Sequence, residues 1–148
     1  MSPAYTNIDR FNLAAIELLS VLYDNFPVPV AIDTAEIGVE ATPGDATPVE
    51  MLRFAMYAEH ALTWLTEEGF IRYEPPNYGT RYTNVRLTLK GLTLLGYVPS
   101  ALRADENSEP IITKIKRILS HGTEQAATEA TKSLLGDLFK LAMTAGLS

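Results

Sequence analysis

The sequence predicts an α+β fold that is mainly helical and contains one small β-hairpin. Apolar residues recur every three or four positions in several long segments, which is typical of helices that bury one face. A glycine stop is followed by two short segments rich in β-branched and aromatic residues, and the turn-rich stretch between them indicates a hairpin. A chain of 148 residues, 47% of them hydrophobic, is long enough for one compact domain with its own core. We expect a domain over residues 1–99, a linker over 100–109 and a helical extension over 110–148.

The first helix is predicted over residues 7–24. Thr6 or Asn7 can cap its first turn, and Asp9 in that turn is favourable for the helix dipole. Proline cannot continue the backbone hydrogen bonds of a helix, so the segment Phe26–Pro29 ends it. The apolar stripe of this helix consists of Ile8, Phe11, Ala15, Leu18, Leu19 and Leu22.

The segment between the first helix and the next long one contains only short elements. Val28–Ile32 is too rich in proline for a central strand, which favours an edge strand or an extended link. Asp33 or Thr34 can cap a short second helix over residues 33–38. Residues 41–47 have the composition of a loop.

The third helix has the clearest start signal in the chain. Thr47 is the predicted cap, Pro48 occupies the first helical position, and Glu50 completes a Thr-x-x-Glu capping box. The helix is expected to run to Glu68 and to end at Gly69, because glycine readily adopts the left-handed conformation that terminates a helix.

The hairpin is predicted to consist of a strand over Phe70–Glu74, a loop over 75–80 and a returning strand over Arg81–Thr88. Successive side chains of a strand point to opposite faces, so strict alternation divides the returning strand into two sets. The first set is Thr83, Val85 and Leu87, and the second is Tyr82, Asn84 and Arg86.

The C-terminal part of the chain is predicted to be helical. Thr88 can cap a short helix that ends at Gly96, and Gly122 is a candidate break in the helical segment that begins at Pro110. The apolar stripe of that segment must be buried, either on its own domain or against the same segment of a second copy. We favour a homodimer, with an interface formed by Ile112, Ile115, Leu119, Ala126, Ala130, Leu134 and Leu138.

The composition narrows the function classes. The chain has no cysteine, which excludes disulfides and thiolate chemistry and fits a cytoplasmic protein. Neither a signal peptide nor a membrane-spanning segment is predicted. The two histidines, His60 and His121, lack metal-ligand spacing, and no phosphate-binding glycine loop or nucleophile motif occurs. We therefore expect neither an enzyme nor a bound cofactor.

The net charge of −6 is unevenly distributed. Residues 1–99 contain 6 Lys and Arg against 12 Asp and Glu, whereas residues 100–148 contain 6 of each. Neutralisation of phosphates by Lys and Arg supplies most non-specific affinity for DNA. Binding of DNA would therefore require a local basic patch on an otherwise acidic surface.

Two short motifs resemble those of MarR-like and PadR-like winged helix-turn-helix regulators. Residues 62–71 read Leu-x-x-Leu-x-x-x-Gly-Phe-Ile, and residues 87–91 read Leu-Thr-x-Lys-Gly. The resemblance implies a winged helix-turn-helix with a C-terminal helical extension, DNA binding by the third helix and the hairpin, and dimerisation through terminal helices. The chain departs from the family in its long 41–47 loop and in a third helix that carries Arg53 against four glutamates.

The resemblance also indicates which residues would contact DNA. Reading helices contact base edges from their N-terminal part, and wing residues contact the backbone or the minor groove. The candidates are Thr47, Arg53, Tyr57 and His60 on the third helix and Arg81, Tyr82 and Arg86 on the hairpin. The alternative is that these side chains are only solvated or packed. Trp64, the only tryptophan, is expected to pack in the core or at a dimer interface, with a ligand pocket between the third helix and the tail as the alternative.

Two functions follow from these observations. The first is a small winged-helix protein that binds double-stranded DNA and regulates transcription as a homodimer. The second is a winged-helix module that binds another protein and does not bind DNA, which the acidic charge of residues 1–99 favours. We place DNA binding ahead, because a local basic patch can overcome a negative average charge.

Overall fold

The computed structural model describes residues 5–96, 109–120 and 125–144. Within these ranges the chain is mainly helical with one three-stranded antiparallel sheet, which confirms the α+β class. The helices are α1 (Asn7–Asn25), α2 (Thr34–Ala41), α3 (Pro48–Glu67), α4 (Leu89–Leu95), α5 (Ile111–Ser120) and α6 (Gln125–Thr144). The strands are β1 (Val30–Asp33), β2 (Ile71–Tyr78) and β3 (Arg81–Leu87), and their order in the sheet is β1-β3-β2.

Helix α1 forms the centre of the core and contacts α2, α3, α5 and α6. It begins with a complete capping box, in which the hydroxyl of Thr6 accepts a hydrogen bond from the Asp9 N–H and the Asp9 carboxylate accepts one from the Thr6 N–H, both at 3.0 Å. Thr6 is therefore the cap. The residues of α1 that are at most 2% exposed are Leu13, Ala14, Ala15, Ile16, Leu18, Leu19 and Leu22.

Helices α2 and α3 approach each other closely at Gly38. A Cβ atom added at Gly38 would lie 2.3 Å from the Cα atom of Ala55, which is closer than two non-bonded carbon atoms can come. Only glycine fits this position, so the second helix predicted over residues 33–38 depends on it for its packing. The observed helix runs three residues further, to Ala41, and Asp33 caps it by accepting a hydrogen bond from the Ala35 N–H at 2.9 Å.

The end of α3 confirms the predicted glycine stop. Gly69 has a φ of +84°, and its N–H donates to the Thr66 carbonyl at 3.1 Å. The Phe70 N–H reaches back to the Leu65 carbonyl at 2.9 Å, which completes the paired hydrogen bonds of a Schellman motif. Leu62 and Leu65 are fully buried, so this end of α3 is anchored in the core.

The sheet confirms one prediction and corrects another. Strand β1 pairs with β3 as an edge strand, which is one of the two alternatives predicted for Val28–Ile32. Strand β2 continues through Pro75 and Pro76 to Tyr78, and the predicted 75–80 loop is wrong for most of its length. Proline is tolerated there because β2 is also an edge strand, and no strand among the described residues pairs with its outer side and needs an N–H donor from it.

The start of α4 ties the hairpin to the end of α3. The Thr88 hydroxyl accepts from the Gly91 N–H at 3.1 Å, as predicted for a cap, and donates to the Gly69 carbonyl at 2.6 Å. A Cβ atom added at Gly91 would lie 2.2 Å from the Phe70 carbonyl oxygen, so this contact also requires glycine. The returning strand, the fourth helix and the glycine stop therefore form one unit.

The C-terminal extension packs on its own domain through contacts of α5 and α6 with α1. Among the predicted dimerisation residues, Ile112, Ile115, Leu134 and Leu138 are at most 6% exposed within the single chain. Their burial therefore needs no second subunit, and the expectation that they face a partner is corrected. Leu119 is half-buried against the core, Ala130 is exposed, and the side chain of Ala126 lies outside the described residues.

The predicted linker and helix break fall almost entirely outside the described ranges. Of residues 100–109 only Glu109 is described, and Gly122 lies in the gap between α5 and α6. None of the helices that the structure describes is long and apolar enough to cross a membrane.

The close approach of α2 and α3 predicts that Gly38→Ala destabilises the fold. We expect the free energy of unfolding to fall by about 2 kcal/mol or more, because the added methyl group meets backbone atoms that cannot move independently. Gly44→Ala is the matched control, because an added Cβ there meets nothing within 4 Å. Urea unfolding followed by circular dichroism measures both, and equal stabilities of the two variants would contradict the packing described here.

Candidate nucleic-acid interface

The N-terminal turn of α3 is stabilised by a helix cap and by an ion pair with α1. The Thr47 hydroxyl accepts a hydrogen bond from the Glu50 N–H at 3.1 Å, as predicted. The other half of the predicted capping box is replaced, because the Glu50 carboxylate turns to Arg10 of α1. The Arg10 Nε and Glu50 Oε1 atoms are 2.5 Å apart, and both side chains are about nine-tenths buried. This ion pair fixes the first turn of α3 on α1.

Arg10 makes a second contact with α3 at Tyr57. Its guanidinium carbon lies 5.3 Å from the centre of the Tyr57 ring, in a cation–π arrangement. The hydrogen bond that Arg10 donates to the Glu50 carboxylate is the largest influence on the guanidinium, and it raises the pKa of Arg10 above its usual value. Arg10 is therefore permanently charged and cannot leave Glu50 without leaving a buried carboxylate unpaired.

The four predicted DNA contacts on α3 do not form one surface. Thr47 is exposed, and Arg53 keeps 55% of its side chain exposed while lying 3.6 Å from Glu50. Tyr57 and His60 instead line a pocket between α1, α3 and α6. Only Thr47 and Arg53 remain on the outer face of the N-terminal half of α3.

The outer face of α3 is mostly apolar. Val49, Leu52 and Met56 lie three and four residues apart and are 59%, 69% and 62% exposed. Side chains at this spacing form one stripe along a helix. Apolar side chains in a major groove can contact only the thymine methyl group, so this face offers little hydrogen-bonded base recognition.

A β-bulge in β3 overturns the predicted placement of Tyr82. Val30 pairs with Val85, and Ile32 pairs with Tyr82. Between these two pairs the chain moves by two residues along β1 and by three residues along β3, so β3 contains one extra residue. The extra residue lies at Asn84, whose φ of 53° is in the left-handed region. The bulge shifts the alternation, and Tyr82 joins Val85 on the buried face.

Tyr82 is consequently unavailable to DNA. It is 4% exposed and meets Tyr73 of β2 edge to face, with ring centres 5.0 Å apart. Burial, reinforced by Glu59 of α3, raises the pKa of Tyr82 to about 12. The prediction that Tyr82 is part of a DNA-binding wing is therefore corrected: its role is to pack β3 against β2.

The hairpin carries the basic patch that the acidic domain otherwise lacks. Residues 71–87, the two strands and their turn, contain three basic residues and one acidic residue, whereas residues 5–69 contain two basic and eleven acidic residues. Arg72 and Arg86 are direct partners across β2 and β3, and Arg81 pairs with Tyr78 at the tip. None of these three arginines forms an ion pair with another described residue.

The sequence predicts Arg86 as a DNA contact but not Arg72, its direct partner across the two strands. Like charges directly opposite on two strands disfavour the sheet, so the pair has a cost in stability. A count of charges restricted to the two strands would have found Arg72. Guanidinium groups stay charged at all relevant pH values and bind phosphate oxygens in a bidentate manner. The arrangement can therefore hold a polyanion.

The described residues include no group of three or more His, Asp or Glu side chains that could hold a metal ion. Comparison of the chain with protein-family models, curated proteins and solved structures finds no match.

The buried ion pair leads to a stability prediction. Glu50→Ala leaves the Arg10 charge buried without a partner, so we expect the free energy of unfolding to fall by about 3 to 5 kcal/mol. The double variant Arg10→Met/Glu50→Leu removes both charges and is expected to recover most of that loss. Urea unfolding of the two variants provides the comparison. A double variant as unstable as Glu50→Ala would show that the pair does not hold α3 in place.

Proposed function

We propose that this chain is a winged-helix protein that binds double-stranded DNA in the cytoplasm and acts as a transcriptional regulator. The order α1-β1-α2-α3-β2-β3, with β1 paired to β3, supports the winged-helix assignment. The sequence motifs over residues 62–71 and 87–91 point in the same direction, since they form the glycine stop and the cap of α4.

The observation that carries the proposal is the segregation of charge into the hairpin. Electrostatic contact with phosphates supplies essentially all non-specific binding to DNA. Arg72, Arg81 and Arg86 lie on the two hairpin strands and have no competing carboxylate partners among the described residues. The hairpin is thus the part of the described surface best suited to receive a phosphate backbone.

The apolar stripe on α3 limits the sequence selectivity of the DNA binding that we propose. Phosphate contacts position a protein on the duplex, and contacts with base edges give sequence specificity. Arg53 is the only Lys or Arg of α3, and His60 lines the pocket, so base recognition by this helix is limited. We therefore propose binding that is dominated by the backbone and has modest sequence selectivity.

A homodimer is part of the proposal, but its surface differs from the one first expected. Four of the seven candidate residues are buried within the chain, which leaves Leu119 and Ala130 as the described candidates with accessible surface. Sedimentation velocity over a tenfold range of concentration tests it. A single monomeric species at every concentration would remove the dimer from the proposal and leave DNA binding in place.

Loss of the hairpin charges provides the functional test. We expect Arg72→Gln/Arg86→Gln to weaken binding to mixed-sequence duplex DNA about tenfold or more at low salt. We also expect it to reduce the slope of log affinity against log salt by about 2, because each arginine releases about one counterion. Fluorescence anisotropy at several salt concentrations measures both quantities.

The matched control removes the same charge from α5. Lys114 and Arg117 lie on that helix, and Lys114→Gln/Arg117→Gln should leave the affinity and the slope close to those of the wild type. Absence of DNA binding by the wild type at low salt would rule out the proposed function. An equal loss in both double variants would show that binding follows net charge and not the hairpin.

The exposed stripe of Val49, Leu52 and Met56 favours a second candidate function, a module that binds another protein. Contiguous apolar side chains on a surface are typical of interaction sites. Capture of a partner from cell extract, repeated after nuclease treatment, tests this alternative with Leu52→Asp/Met56→Asp as the negative control. Recovery that disappears with nuclease, or that persists in the control variant, would count against it.

A further inference from the structure

A pocket of about 660 Å³ lies between α1, α3 and α6, away from the hairpin arginines. Pockets of roughly 300 to 1,000 Å³ are the usual size of small-molecule sites in proteins. Its residues come from three elements that are separate in sequence, and they include Phe11, Trp64 and Phe139. The proposed DNA contacts, Arg72, Arg81 and Arg86, do not line this pocket, so its function is considered separately.

The walls of the pocket are a chain of three aromatic rings. Trp64 meets Phe11 and Phe139 edge to face, in each case with ring centres 5.3 Å apart. This geometry holds the rings in fixed orientations. Although it packs on both sides, Trp64 remains 38% exposed and lines the pocket. Trp64 therefore packs against its neighbours and also exposes part of its ring in the pocket, so it combines the two roles that the sequence analysis gave as alternatives.

Asn12 is the most buried of the polar residues that line the pocket. It is 5% exposed, lines the pocket, and its side-chain amide forms no hydrogen bond with any described residue. All side-chain nitrogen and oxygen atoms that are sealed from solvent in the described structure have partners, so the Asn12 amide keeps a narrow opening. A polar group set in an apolar pocket wall can fix the orientation of a ligand through hydrogen bonds.

The rim of the pocket carries charges of both signs. Lys132 of α6 and Glu67 of α3 both line it. Opposite charges at one rim give no net preference for an anion or a cation, so a neutral ligand fits best. The amide of Asn12 provides two donors and one acceptor side by side, which complements a ligand edge that has one acceptor next to one donor.

From these observations we infer that the pocket binds a flat, neutral heteroaromatic molecule whose lactam or amide edge pairs with Asn12. The rings of Phe11, Trp64 and Phe139 would contact the body of the molecule. The site is separate from the DNA-binding proposal, and its test uses no DNA, so either can fail while the other stands.

The probe that tests this site is 2-quinolinone, a flat bicyclic lactam, with 1-methyl-2-quinolinone as the matched compound that lacks the N–H donor. Because Trp64 is the only tryptophan, its indole N–H gives a single cross-peak in a ¹H–¹⁵N spectrum. We expect 2-quinolinone to shift this peak saturably and to bind about tenfold more tightly than the methylated compound, the effect of losing one hydrogen bond to a buried amide.

Two variants locate the binding site. Gly136 lines the pocket, and a Cβ added there meets nothing within 4 Å, so Gly136→Leu should fill the space without straining the helix and should abolish binding of both compounds. Ser133→Leu, on an exposed position of the same helix that does not line the pocket, should bind as the wild type does. Binding that survives Gly136→Leu would overturn the inference.

A third variant tests the role of the amide. Asn12→Leu keeps the size of the side chain and removes the donor and the acceptor, so both compounds should bind and the difference between them should disappear. A wild type that does not discriminate between the two compounds, or that shows no shift of the Trp64 peak up to the solubility limit, would overturn the inference without any variant. If the ligand-induced shift of the Trp64 peak is lost at protein concentrations where the chain self-associates, a second copy of the chain occupies the pocket, and the inference is overturned.

Discussion

The ion pair between Arg10 and Glu50 is the constraint that sets the position of α3 on α1, and α3 supplies one wall of the pocket. It joins α1, the centre of the core, to the first turn of α3, and it does so where neither charge has free access to water. A pair in such surroundings gives little net stability compared with apolar side chains, but each partner strongly requires the other. The pair therefore matters mainly because it fixes the position of α3 relative to α1. Arg10 also lies on Tyr57, which lines the pocket, while Glu50 also contacts Arg53 on the outer face.

The distribution of charge determines how such a domain could bind DNA. At physiological salt, charges further than about 8 Å apart are largely screened, so a phosphate close to the hairpin responds mainly to the local arginines. At low salt the eleven acidic residues between positions 5 and 69 repel the duplex from a distance. Binding should therefore depend on the orientation in which the hairpin approaches the duplex. The unfavourable pairing of Arg72 with Arg86 is understandable in the same terms, because a bound phosphate relieves their repulsion.

Local hydrogen bonding made much of the fold predictable from the sequence. Thr47, Gly69 and Thr88 act where they were expected, because a cap or a stop depends on neighbours within about four residues. The failures are non-local. The bulge at Asn84 reversed the face of Tyr82, and packing on α1 buried the tail stripe that was assigned to a dimer. The sequence does not identify Asn12 as a site residue, because its place in the pocket depends on the packing of α1, α3 and α6.

The most direct test of the central claim is to observe the arginine side chains themselves. A ¹H–¹⁵N titration of the wild-type chain with a mixed-sequence DNA duplex at low salt resolves the Nε–H groups of individual arginines. We expect the Nε–H signals of Arg72, Arg81 and Arg86 to shift together on binding, whereas those of Arg10 and Arg117 should not shift. Shifts absent from the hairpin, or confined to residues along the apolar stripe of α3, would contradict it.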